Sequence, residues 1–271
     1  MTKYAVLGYT TINIGDDIQS FVTSTLLPIN YIVIRDDYDK IYDYNTGELV
    51  ELNEKVYLIM NGWFMHNRDW KTGNDKLKFP IRHKYIIPIY ISCCFAKYIP
   101  RLYVNECLSS YRYYGHVLCR DKTTLKMLRE KKVSSSFFGC VTQLLDKKFI
   151  PDNSKYKRKY SNSYIYIDCP ELWEKRDKTQ KNYYFEHYID KLMELNPKER
   201  INYSVDLLSK YKYAKKIYSG RLHAFLPCRA IGINISYVGP VNYRVKDLIY
   251  ETPNKELLKR KFIDFINLKS K

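Results

Sequence analysis

Short apolar runs, recurring along the chain, set the tightest limit on what it can fold into. Residues 4–7, 31–34, 55–60 and 86–92 are rich in Ile, Val, Leu and Tyr, and shorter apolar runs fall within 114–120 and 135–138. The first four are near-continuously hydrophobic rather than alternating, the pattern of strands buried on both faces of a parallel sheet. Helical segments fall between them. Asp16 and Asp17 open one through residue 26, where carboxylates favour a helix start. Residues 122–131 form another. Residues 146–162 are polar, charged and contain Pro151, the composition of a linker. The alternation then restarts, with strands over 164–167, 201–203, 216–218 and 234–238. Helices are expected over 181–195, 205–211, 222–231 and 257–268. Strands alternating with helices give an α/β fold with mostly parallel sheets, in two halves, 1–148 and 149–271. In open α/β sheets ligands bind beyond the carboxyl ends of the strands, so a cleft between the halves is the expected site.

The chain of 271 residues carries 46 basic and 29 acidic side chains, a formal charge of +17. That excess points to anionic partners, although dispersed lysines also make an ordinary solvated surface. The densest run, Lys155 to Tyr160, reads as part of the exposed linker. Seven cysteines show no CxxC pair and no zinc spacing, which fits a reducing compartment and no metal. The amino terminus reads as a strand rather than a leader peptide. The longest uncharged apolar stretch, residues 85–96, is shorter than the ~20 residues a membrane span needs. A soluble cytoplasmic protein without a membrane span is expected. No nucleic-acid motif accompanies the charge.

The residues that promise chemistry are Ser219-Gly220-Arg221-Leu222-His223, between a strand and a helix. Arg is a permanent, bidentate anion clamp, and His exchanges protons near neutral pH. Gly220 permits a tight turn, and a helix start offers free N–H groups to an anion.

Several motifs, in order, carry a family resemblance. They are Asn13-Ile14-Gly15-Asp16-Asp17-Ile18-Gln19-Ser20, Asn61-Gly62-Trp63-Phe64-Met65-His66, Arg120-Asp121-Lys122-Thr123-Thr124, Gly139-Cys140-Val141-Thr142 and Ser219 to Ala224. Together they resemble the polysaccharide pyruvyl transferase family. The resemblance implies two Rossmann-like domains in the GT-B arrangement, with residues 1–148 on the acceptor side and 149–271 on the donor side. It implies phosphoenolpyruvate as donor, no further cofactor, and a cyclic pyruvate ketal formed across two hydroxyls of a sugar acceptor.

That chemistry needs a clamp for carboxylate and phosphate, an acid for C3 of the enol, and a group to orient hydroxyls. Arg221 with Ser219 and Gly220, joined by Arg120, Arg244 and Lys246, would hold the donor. His223, its pKa raised by a bound anion, would be the acid, and Asp16 would orient the acceptor. Asn13, Asp17, Asn61, Trp63 and His66 would line the acceptor side. One departure stands out: Cys94 occupies a position where relatives in one branch carry His. A homo-oligomer is compatible with the sequence, which does not fix the oligomeric state. Two other readings stay open: a nucleotide-sugar-dependent glycosyltransferase of the same architecture, and a basic module that binds polyanions without catalysis.

Overall fold

The computed structural model describes residues 2–64, 81–96, 105–251 and 253–270. It is a mixed α/β protein with mostly parallel sheets. Strand β1 (Lys3–Gly8) leads into helix α1 (Ile14–Ser24), which Asn13 caps by accepting the Gly15 N–H at 3.1 Å. β2 (Ile29–Ile34) follows, then β3 (Asp37–Asp43) and β4 (Leu49–Val50) turn back as an antiparallel hairpin. β5 (Val56–Ile59) returns to the centre, β6 (Gly62–Phe64) starts a second sheet, and β7 (Ile86–Ile89) completes the first in the order β4-β3-β2-β1-β5-β7.

The second sheet, β10-β9-β8-β6, is all parallel. It contains β8 (Ile91–Phe95), β9 (Val117–Cys119) and β10 (Ser135–Phe137), with α2 (Asn105–Tyr113) and α3 (Lys122–Glu130) between them. Helix α4 (Ser154–Tyr160) leads to the third sheet, β12-β11-β13-β14, also all parallel. Its elements are β11 (Tyr164–Ile167), α5 (Pro170–Glu174), β12 (Asn182–Phe185), α6 (Pro197–Tyr211), β13 (Lys216–Ser219), α7 (Leu222–Ala230) and β14 (Ile235–Tyr237). α8 (Lys246–Ile249) and α9 (Lys255–Lys269) close the chain.

Four expectations change. Residues 86–92 are not one strand. β7 belongs to the first sheet and β8 to the second, and Ser92 bends the chain with φ +57°. The helix expected over 181–195 is β12 followed by a 3-10 turn at Asp190–Glu194. Tyr183 and Phe185 face the core while Asn182 and Tyr184 point the other way, so a period of two competes with the helical one. The strand at 201–203 is absent because α6 runs unbroken from Pro197. Asn196 and Glu199 form a capping box ahead of it, with Pro197 in the first turn. Residues 146–162 are not an open linker: they hold α4, and Asp146 pairs with Lys255 and Lys259 of α9 at 2.7 and 2.5 Å.

One apolar core runs from Tyr4 of β1 through α1, the third sheet and α6 to Ile266 of α9. A second lies around the first two sheets, built on Leu7, Phe64, Phe95 and Tyr111. All seven cysteines are buried free thiols. Among the described residues no helix is long and apolar enough to cross a membrane.

Candidate functional site

Two loops that are distant in sequence join by their backbones. Ile14 N–H donates to the His187 carbonyl at 3.0 Å, and Ile189 N–H to the Ile12 carbonyl at 2.8 Å. Asn13 and Tyr188 thereby form an antiparallel bridge. Beneath this seam Arg200 of α6 grips Asp17 of α1 bidentately, Nε to Oδ1 at 3.1 Å and Nη2 to Oδ2 at 2.9 Å, with both side chains 2% exposed. The start of α1 is thus fixed against the carboxyl ends of the third sheet.

Those ends supply the opposite wall. Asp168 follows β11 in a left-handed conformation, φ +46°. After β13, Ser219 Oγ accepts the Arg221 N–H at 3.0 Å and turns the chain into α7. Gly220 is obligatory there, since a Cβ would lie 2.4 Å from the Asp168 carbonyl oxygen. Pro227 lies inside α7, in its second turn, and has no N–H to offer the His223 carbonyl.

The walls enclose a cavity of about 360 Å³, lined by Asn13, Asp16, Trp63, Arg120, Arg221, His223 and Arg244 among others. Its electrostatics are dominated by arginine. Arg120 is 2% exposed, yet it forms no ion pair among the described residues, and its Nε has no hydrogen-bond partner. Its Nη1 reaches Gln19 Oε1 at 3.3 Å and His223 Nε2 at 3.5 Å, and the Cys94 thiol also lies against it. Burial works against its charge and the neighbouring Cys94 and Asp121 favour it, but no carboxylate among the described residues pairs with it directly, so its guanidinium is placed to meet an anion. Arg221 donates from Nε to Asp168 and stacks on Tyr188 with its guanidinium carbon 4.1 Å from the ring centroid. The clamp therefore has a carboxylate orienting one side. Arg244 lies 3.3 Å over the Trp63 ring and covers one face of it.

His223 packs against Gly15, where a Cβ would come within 3.0 Å of its Nδ1. Gly15 therefore makes room for the imidazole. Burial first, then the Arg120 and Arg244 charges, hold the His223 pKa well below the ordinary imidazole value. With only protein groups around it, the ring is neutral at pH 7. A raised pKa requires negative charge brought into the cavity. His187, fully buried, is pushed down to about 4 by desolvation, with its Nε2 bonded to Tyr211 Oη at 3.0 Å and its Nδ1 unpartnered.

A model of the polysaccharide pyruvyl transferase family matches residues 13–233. The chain belongs to this family. Among solved structures, a functionally uncharacterised protein from Klebsiella pneumoniae is 14% identical over 92% of this chain and 87% of its own, with a TM-score of 0.47. No curated protein matches.

Of the residues expected to form the site, Asn13, Asp16, Trp63, Arg120, Gly220, Arg221, His223 and Arg244 meet in one cavity. Others lie outside it. Asp17 is spent on Arg200. Asn61 is buried and donates to Gln19 O and Thr23 Oγ1 at 3.2 and 2.9 Å. Ser219 is confined to the turn, and Lys246 is exposed on α8. His66 falls outside the described residues. Cys94 is buried beside Arg120, its thiol pushed up to about 12 by desolvation, and is not in the wall. Asp168, His187 and Tyr188 line the cavity without having been expected there. No motif marks them. Asp168 and His187 do follow the carboxyl ends of β11 and β12, where ligands gather in open α/β sheets.

Proposed function

We propose that the protein transfers the pyruvyl group of phosphoenolpyruvate to two hydroxyls of a sugar, making a cyclic ketal and releasing phosphate. The observation that carries this reading is the buried Arg120, with no direct carboxylate partner among the described residues, facing Arg221, Arg244 and His223 across one cavity. A small dianion or trianion suits that cluster. The carboxylate and phosphate of the donor would divide between Arg120, Arg221 and Arg244.

His223 then changes role with occupancy. Donor charge offsets the field of Arg120 and Arg244, the imidazole takes up a proton, and Nε2 delivers it to C3. C2 becomes cationic and one sugar hydroxyl adds to it, losing its proton. The C2–O bond to phosphate breaks, and the second hydroxyl closes the ring with loss of its own proton. Asp16 is the candidate to orient the first hydroxyl. It already accepts from Thr11 Oγ1 at 3.2 Å and sits 3.7 Å from Arg35 Nη1. In this reading the enzyme is GT-B-like. Residues 149–271 carry most of the donor site, 1–148 carry the acceptor side, and Arg120 reaches across.

Calorimetry of phosphoenolpyruvate binding in two buffers of different ionisation enthalpy tests the donor and the acid together. Wild type should take up close to one proton, and His223→Gln should bind without uptake. Incubation with sugars should release phosphate and add one pyruvate less one water to the acceptor. Binding of a nucleotide sugar but not phosphoenolpyruvate would replace this reading with glycosyl transfer. Polyanion binding that survives Arg120→Met and Arg221→Met, with no donor binding, would replace it with a non-catalytic module.

A further inference from the structure

The third sheet is all parallel, and such sheets are normally covered on both faces. Ile165, Ile167 and Ile217 pack into the main core on one side. The other side carries Tyr164, Tyr166, Tyr184 and Tyr218, and the helix seated on it, α5, is five residues long. Tyr184, Tyr166 and Tyr218 are direct neighbours across β12, β11 and β13. Tyr166 and Tyr218 stack with centroids 5.3 Å apart, and Trp173 of α5 meets Tyr166 edge-on at 5.6 Å. A hollow of about 350 Å³ opens here, lined by Tyr164, Tyr166, Tyr218, Asn182, Lys175 and Arg176 among others.

Its rim is cationic. Lys215 and Lys216 carry their ammonium groups over the rings of Tyr164 and Tyr218 at 5.4 and 5.5 Å, and Arg176 stacks on Trp173 at 3.6 Å. Asp177 is the acidic residue in the lining. Rings with polar edges, amide groups and surrounding cations are the chemistry that holds a sugar chain bearing carboxylates. The strands under this face run directly to Asp168, His187 and Gly220 in the wall of the cavity.

We propose that this tyrosine shelf binds an anionic stretch of the acceptor polysaccharide outside the reaction cavity. The inference rests on the pyruvyl-transfer reading and makes it more specific. Each ketal adds a carboxylate to the glycan, so the polymer becomes more anionic as it is modified. A cationic shelf beside the site retains the modified stretch while the next unit enters.

Affinity electrophoresis through gels containing xanthan, xanthan freed of its ketals by mild acid, or neutral dextran tests this directly. Retardation should be strongest in native xanthan, weaker after ketal removal and absent in dextran, and should decline with salt. The double variant Lys175→Glu, Arg176→Glu alters exposed or rim positions and should lose about five- to tenfold in affinity, the sum of two modest charge reversals. Tyr164→Ala should also weaken retardation, and unchanged melting temperatures would show that both variants fold. Donor binding, read by calorimetry, should stay at the wild-type value in both. Equal migration of wild type and variants in all three gels overturns the shelf while leaving pyruvyl transfer standing. Loss of a wild-type dimer in these variants assigns the face to a second copy and also overturns it. Polymer binding without any donor binding overturns the catalytic reading instead.

Discussion

Arg200 is the most exposing place to perturb this protein. Its guanidinium satisfies both oxygens of Asp17 and donates to the carbonyls of Leu192 and Thr11, all in a site from which water is nearly excluded. Replacement by Met keeps most of the volume and removes every one of those bonds. Asp17 is then a buried carboxylate with no counter-charge, and removal of one partner of a buried pair costs about 3–5 kcal/mol. For a chain of this size each kcal/mol moves the melting temperature by roughly 2–4 °C, so Arg200→Met should melt on the order of 10 °C lower.

The pH dependence identifies the cause. Burial already lifts the Asp17 carboxyl to about 6 against the opposing pull of Arg200, and without Arg200 it rises further. The folded variant then binds a proton more readily than the unfolded chain, so its deficit shrinks as pH falls from 7 toward 5. Adding Asp17→Leu removes the orphaned charge and should restore most of the loss, because an apolar pair of similar volume is often as stable as a buried ion pair. Thermal melts of the four proteins of this cycle at pH 5 and 7 give the result. A loss under about 1 kcal/mol in Arg200→Met, or additive losses in the double variant, would refute the account of Asp17 as a buried, paired charge.

Other outcomes follow from the cavity. Arg120→Met removes a buried cation of the cavity wall, so it should abolish donor binding by calorimetry. The same change should lift the His223 pKa, visible in its imidazole NMR titration. Gly220→Ala forces a Cβ to 2.4 Å from the Asp168 carbonyl, so turnover should fall at least tenfold with a lower melting temperature. His187 is held neutral to about pH 4, whereas the unfolded chain protonates it near 6.5. Stability should therefore decline as pH falls below 6.5, by on the order of 3 kcal/mol at pH 4, and His187→Gln should flatten that part of the urea-midpoint profile.

The buried strands were readable because burial on both faces leaves little freedom in composition. β11 at Tyr164–Ile167 and α7 from Leu222 lie where the apolar pattern places them. The stretch around β12 misleads because its aromatic residues satisfy two periods at once. The neighbouring strand β11, far away in sequence, decides between them. The start of α6 was written locally, in Asn196-Pro197-Lys198-Glu199, but the polar first turn hid behind the apolar run that follows. Arg221, His223 and Arg120 stand in motifs and could be found. Asp168 and His187 become site residues only when three strands end side by side, a property of topology that no local motif carries. Asp17 and Asn61 show the converse: both stand in motifs, and both are used to hold α1 in place rather than to face the cavity.

Pro227 gives the active turn an unusual mechanical character. A regular helix would tie the His223 carbonyl to the amide four residues on, but here that amide has no hydrogen. The first turn of α7 is therefore bound to the rest of the helix by one fewer rung. Behind it the backbone is rigid, because Gly220 and Gly239 nest carbonyl against α-carbon too tightly for any side chain. In the proposed mechanism, the missing rung would let the imidazole adjust to an arriving anion while the turn behind it holds its place. The sheet that carries it need not move.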